Sequence, residues 1–168
     1  MPDGPRYDDD FYAWTQYQAQ VLRSLRTHDN RFDREHLAEE IADLGKSERD
    51  AVRSQIERIL VHFLKLEHSP ARDPRFDWME TIIEARSTLE NKLSSSLRKD
   101  VEDRLARLYL IARKRAALEL LKHGERSAAQ SLPGECPYTI EQIVAEDWYP
   151  EQREFPTAQV VGYAGETP

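Results

Sequence analysis

A histidine stands inside the apolar run Ile-Leu-Val-His-Phe-Leu-Lys at positions 59–65, and two more polar residues, Gln55 and Glu48, precede His62 at intervals of seven. At about 100° per residue a heptad drifts by only ~20°, so Glu48, Gln55 and His62 fall on or beside the stripe of Ile41, Val52 and Ile59. Arg86 interrupts a second apolar stripe between Ile82 and Leu89, and Glu119 lies in line with Val101, Leu108 and Ala112. Charges placed on core-facing stripes must find partners, because burying one alone costs several kcal/mol. The simplest expectation is a closed network in which the fork of Arg86 bridges one or both glutamates and His62 donates to the same group.

Two other chemistries use the same residues. A small polar or anionic ligand between helices could be held by Arg86, His62 and Gln55, with Glu48 and Glu119 beside them. Glu119 and His123 are one helical turn apart, and with His62 and Glu48 they make a two-histidine, two-carboxylate set suited to zinc, manganese or iron. The Glu-x-x-His pairs of helical di-iron sites are missing, since neither Glu39 nor Glu40 has a histidine three residues on. The spacing therefore favours the closed network over the ligand site, and the ligand site over a metal; no cofactor is expected. Cys136, the only cysteine, has no Cys or His neighbour in Gly-Glu-Cys-Pro-Tyr and reads as a structural thiol. Neither a Gly-x-Ser-x-Gly turn nor a phosphate-binding glycine loop occurs. Serines 94–96 read as helix caps.

Long amphipathic helices must position these residues. The pattern predicts a first helix over 8–26 with Phe11, Trp14, Val21, Leu22 and Leu25 on its stripe, and a long second helix from Arg34 to His68 capped by Asp33. Gly45, inside that helix, predicts either close backbone packing or a bend. A third helix starts near Arg75 after a cap at Asp73, with Pro74 in its first turn and Trp78, Ile82, Ala85 and Leu89 on its stripe. A connection within 91–100 leads to a fourth helix capped by Ser95 or Ser96 and ended by Gly124. Thr139 and Gln142 form a capping-box pattern for a short helix over 140–147, and 151–168 reads as an extended tail. The expected fold is all-α: an up-and-down four-helix bundle with a short additional C-terminal helix, occupying 1–150 as one domain.

Composition agrees. The chain has 168 residues, 33% of them charged and only six glycines, a balance that suits solvated helices rather than sheets. Its formal charge of -7 works against attraction to phosphate backbones, so nucleic acid is not an expected partner. The basic stretch Arg-Leu-Ala-Arg-Leu-Tyr-Leu-Ile-Ala-Arg-Lys-Arg at 104–115 reads as a solvated helix flank pairing with glutamates. No apolar run approaches the ~18 residues needed to span a bilayer, and the start lacks a signal-peptide pattern. The sequence thus predicts a soluble, cytoplasmic protein with no membrane contact.

Five blocks, DFYAWTQYQA (10–19), LAEEIADLGKSER (37–49), HFLKLEHSP (62–70), SLRKDVEDRL (96–105) and CPYTIEQIVAEDWYP (136–150), together resemble the DUF29 family, a domain of unknown function, over about residues 7–150. The resemblance implies an all-helical fold and a bacterial cytosolic setting, and brings no reaction, substrate or cofactor. The leading functional expectation is a non-enzymatic interaction or regulatory module with a protein partner, acting through an acidic helical surface or a groove of the bundle; homo-oligomerisation is left open. The alternative is a small-ligand-binding or metal-dependent enzyme around His62, Arg86, Glu48 and Glu119. A third, resting on charge alone, is an acidic modulator of a nucleic-acid-binding partner.

Overall fold

The computed structural model describes residues 4–155. It is all-helical: α1 (Phe11–Ser24), α2 (Arg34–His68), α3 (Arg75–Glu90), α4 (Ser95–Lys122), α5 (Arg126–Gln130) and α6 (Ile140–Val144). The 35-residue α2 is the axle on which α1, α3 and α4 pack. Two short helices and the loops around them return over the C-terminal half of α2 and close the core. The predicted four-helix bundle with a short C-terminal helix is present, with α5 added where irregular chain was expected.

Local chemistry sets most boundaries. Asp33 accepts from the His36 amide and opens α2 as predicted. Ser69 and Pro70 end α2, since the residue before a proline is pushed out of the α region. Asp73 does not cap α3; Pro74 takes the cap position with no side-chain bond, its fixed φ already suiting the helix start. Ser94, one residue before the two predicted candidates, caps α4 by accepting from the Leu97 amide. Gly124 follows α4 with φ +79°, the left-handed geometry that favours glycine after a helix. Thr139 and Gln142 form the predicted capping box, and α6 stops at Val144, three residues short of the expected end.

The first helix departs most from expectation. It runs from Phe11 to Ser24, and its buried residues are Thr15 and Ala19 rather than the large apolar stripe. These small side chains lie against Ala38, Ala42 and Gly45 of α2, and the Gln16 amide donates to the Ala42 carbonyl at 3.2 Å. A Cβ on Gly45 would overlap the Thr15 hydroxyl, so the glycine serves close approach of two backbones. Val21 and Leu25 are left facing solvent.

The main core forms farther along α2. Val52, Ile56, Ile59, Leu60, Phe63 and Leu64 meet Ile82 and Leu89 of α3, and Leu97, Val101 and Leu108 of α4. Asp10 ties the first helix to the fourth: its carboxylate caps α1 through the Ala13 amide and also accepts from the Ser96 amide at 2.9 Å and hydroxyl at 2.7 Å. Burial pushes this carboxyl up, but the hydrogen bonds outweigh it and hold it below its usual range.

Candidate functional site

Arg86 is buried on α3, as the sequence requires, but its partners are backbone carbonyls rather than carboxylates. Nε donates to Ile143 O at 2.9 Å, Nη1 to Glu146 O at 3.0 Å, and Nη2 to both Gln142 O at 3.1 Å and Trp148 O at 2.8 Å. These carbonyls belong to the end of α6 and the chain just beyond it, where the last turn of a helix leaves acceptors without partners and the dipole is negative. The guanidinium also lies 5.4 Å from the Phe63 ring and 5.1 Å from the Tyr149 ring. Burial pushes its pKa down, against the pull of Tyr149 and Asp147. Arg86 therefore clamps the C-terminal segment onto α3.

The expected polar network does not form around it. Glu48 pairs with Lys92 at 2.8 Å, and Glu119, whose side chain is exposed, pairs with the buried Lys65 at 2.6 Å. Lys65 also stands over the Trp78 ring at 4.7 Å. His62 is half-buried and directs Nδ1 to the Arg58 carbonyl at 2.8 Å, the bond one turn back within its own helix. Burial lowers its pKa. Gln55 keeps a buried Oε1 with no hydrogen-bond partner among the described residues, and His123 is exposed at the end of α4.

The physical reason is the length of α2. Glu48 and His62 are fourteen residues apart on one continuous helix, hence ~21 Å apart along its axis. A shared stripe does not bring them to one point. The same distance separates the proposed metal ligands Glu48 and His62, and among the described residues no group of three or more His, Cys, Asp or Glu is arranged around a common centre. Part of the basic stretch on α4 is held in structural pairs: Arg115 meets Glu57 at 3.2 Å and Arg113 donates to the Leu132 carbonyl at 3.2 Å.

A second polar cluster, around the end of α2, escaped the sequence reading. Tyr138 donates to Glu67 Oε2 at 2.7 Å, and Arg153 donates to Glu67 through its backbone at 2.9 Å and its side chain at 3.2 Å. Gln152 reaches the Ser69 carbonyl at 2.9 Å. Residues 151–155 are thus tied to α2, while 156–168 of the predicted tail lie outside the described residues. His68 is fully buried; Ser131 spends its proton on the Ala128 carbonyl, so its oxygen accepts from His68 Nδ1–H at 3.0 Å. Nε2 then has no hydrogen-bond partner among the described residues and faces Glu67 at 3.6 Å. Burial pushes Tyr109 up to about 12 and raises Tyr138 and Cys136 as well. The signal available was that Glu67, His68 and Tyr138 fall inside two of the recognisable sequence blocks.

Beside the Arg86 clamp, α3 and α6 leave a groove of about 550 Å³. Ile83, Leu89, Leu93 and Val144 supply its apolar wall. Glu90 and Glu146 supply its rim, both exposed and without an ion-pair partner among the described residues. Among the described residues the one cation in the lining is Arg86, already committed to carbonyls. The groove offers apolar contact and negative charge, and no set of groups placed for acid–base or nucleophilic work.

These features define a class: an all-α helical domain built on one long axial helix, with its C-terminal segment clamped across the bundle. The profile described as "Domain of unknown function DUF29" matches residues 6–149, and the chain belongs to that family. The solved structure of an alpha-helical protein of unknown function from Rhodospirillum rubrum is similar with a TM-score of 0.75 and 24% identity, over 87% of this chain and 93% of that one. That likeness establishes the fold. Among curated proteins none matches the chain. Among the described residues no helix is long and apolar enough to cross a membrane.

Proposed function

We propose that this protein is a non-enzymatic interaction module of the cytoplasm, and that its groove between α3 and α6 receives a cationic amphipathic segment of a partner protein. The observation that carries the reading is the pairing of an apolar wall, Ile83, Leu89, Leu93 and Val144, with the acidic rim of Glu90 and Glu146. Such a groove takes a few apolar side chains of an incoming helix and attracts flanking lysines or arginines. An anionic ligand is disfavoured, because Arg86 has given its donors to the α6 carbonyls. The alternative of an enzyme centred on His62, Arg86, Glu48 and Glu119 draws no support from their separation.

The test is fluorescence anisotropy with a panel of labelled synthetic helices carrying leucine pairs one turn apart, flanked by lysine in one set and glutamate in the other. The lysine set should bind in the micromolar range, weaken with added salt, and lose at least about tenfold in affinity, ~1.4 kcal/mol, with Glu90→Lys/Glu146→Lys. Ile83→Glu should have the same effect. Equal binding of the two sets, or binding indifferent to these substitutions, would refute the reading.

A further inference from the structure

Among the described residues, the α1–α2 hairpin carries an apolar face that is only partly covered. Its inner seam is made of small residues, Thr15, Ala19, Ala38, Ala42 and Gly45, so the larger side chains sit elsewhere. Val21 and Leu25 are 39% and 43% exposed, and Leu37 and Leu44 are 42% and 58% exposed. Trp14 and Ile41, both half-buried, lie on the same two stripes, with the Tyr7 ring packed edge-on against Trp14 at 4.9 Å between centroids. Polarity follows the same pattern: α1 holds one charged residue, Arg23, among fourteen, in a chain that is one-third charged.

The two stripes point the same way. At about 100° per residue, Trp14, Val21 and Leu25 turn off the seam direction of α1 by roughly 90–130°. Leu37, Ile41 and Leu44 turn off the seam direction of α2 by roughly 60–120° in the same sense. The helices are antiparallel, with Thr15 against Gly45, and in an antiparallel pair rotation in the same sense carries both stripes to one side of the hairpin. On that side α3 has already ended. Lys92, just beyond it, closes on Glu48, and toward the N-terminus of α2 from that pair the face is open among the described residues.

We propose that this face pairs with the same face of a second copy of the chain, two hairpins forming an intermolecular four-helix bundle about a two-fold axis. Two-helix layers with one apolar face are half of such a bundle and bury that face only by meeting another layer. A two-fold contact requires a patch complementary to itself. The almost uncharged α1 meets its own image without opposing like charges, and the acidic residues of α2 nearest the stripe, Glu40 and Asp43, turn roughly 40–100° farther from the seam than Leu44, to the rim of the contact. Each helix contributes ~15 residues, ~22 Å, and two helices side by side span ~20 Å, a footprint of ~440 Å² per protomer. Two such footprints project to ~880 Å², and the corrugated surface of side chains exceeds its projection, which brings the buried area to about the ~1,000 Å² that a specific interface needs. This face shares no residue with the groove between α3 and α6, and the inference stands apart from the function proposed there.

Sedimentation equilibrium of the full chain at about 100 µM, well above a ~1–10 µM dissociation constant, should give twice the 19.6 kDa mass of the monomer. Val21→Glu/Leu44→Glu places four carboxylates in the contact and should yield monomer at the same concentration, with an unchanged helical circular dichroism spectrum. Ile83→Glu, in the groove, should remain dimeric. A monomeric parent protein, or a folded double variant that still dimerises, would overturn the proposal. Should the double variant lose its helical signal, Leu37→Gln/Leu44→Gln is measured instead, and an unchanged dissociation constant there would equally overturn it.

Discussion

Replacing Arg86 by leucine keeps an apolar body on α3 and removes the donors to four carbonyls. The bond to Ile143 O is fully buried, and an acceptor stranded there costs ~1–3 kcal/mol. The bonds to Gln142, Glu146 and Trp148 are partly buried, so water can replace the arginine and each loses only ~0.5–1.5 kcal/mol. Removing a guanidinium that burial already disfavours returns part of this sum, leaving about 3 kcal/mol. For a chain of this size that corresponds to a fall in Tm of about 6–12 °C. The loss should begin locally: the segment after α5 should loosen before the bundle does, seen as a change in Trp148 emission and early proteolysis there. Arg86→Lys should recover little, since one ammonium cannot reach four carbonyls spread around a planar fork. Urea unfolding followed by circular dichroism and by tryptophan emission measures both effects. A leucine variant within about 1 kcal/mol of the parent, with unaltered emission, would refute the clamp.

Two further expectations concern α2. Gly45→Ala gains ~1 kcal/mol of helix propensity, yet its new methyl group meets the Thr15 hydroxyl and lies 2.6 Å from Gln16 Nε2; overpacking of ~1–3 kcal/mol should win, lowering Tm by a few degrees, and Thr15→Ala should relieve it in a double-mutant cycle. Burial lowers the pKa of His68, Arg153 adds to that and Glu67 opposes it. The neutral imidazole is then the folded form, so its contribution is fully present above the ordinary value of ~6.5 and is lost as pH falls through the depressed value. The unfolding free energy from urea titrations should drop from about pH 7.5 to about pH 5.5, by no more than ~1.4 kcal/mol per pH unit from this group. His68→Asn, whose amide can still donate to Ser131, should flatten that slope; an equally steep variant would count against the assignment.

The sequence alone determined the four long helices and the short α6, though not α5. The period of α2, its cap at Asp33 and its stop before Pro70 are local chemistry, as are the capping box at Thr139 and the turn at Gly124, and all lie where spacing and residue type put them. The need of Arg86 for partners was also legible, because a charge between Ile82 and Leu89 cannot be buried alone. Which partners it took was decided by tertiary structure: periodicity says which way a side chain faces but not how far along the axis its counterpart lies, so Glu48 and His62 share a stripe and never a site. The same holds for the recognisable sequence blocks. They meet in pairs, Gly45 with Thr15, Asp10 with Ser96 and Glu67 with Tyr138, over separations that no local rule spans. The open hairpin face shows the converse, where the sequence marked a large apolar stripe on α1 as core and the fold placed small residues inward. Two backbones packed through glycine and alanine left no room for Val21 or Leu25 between them.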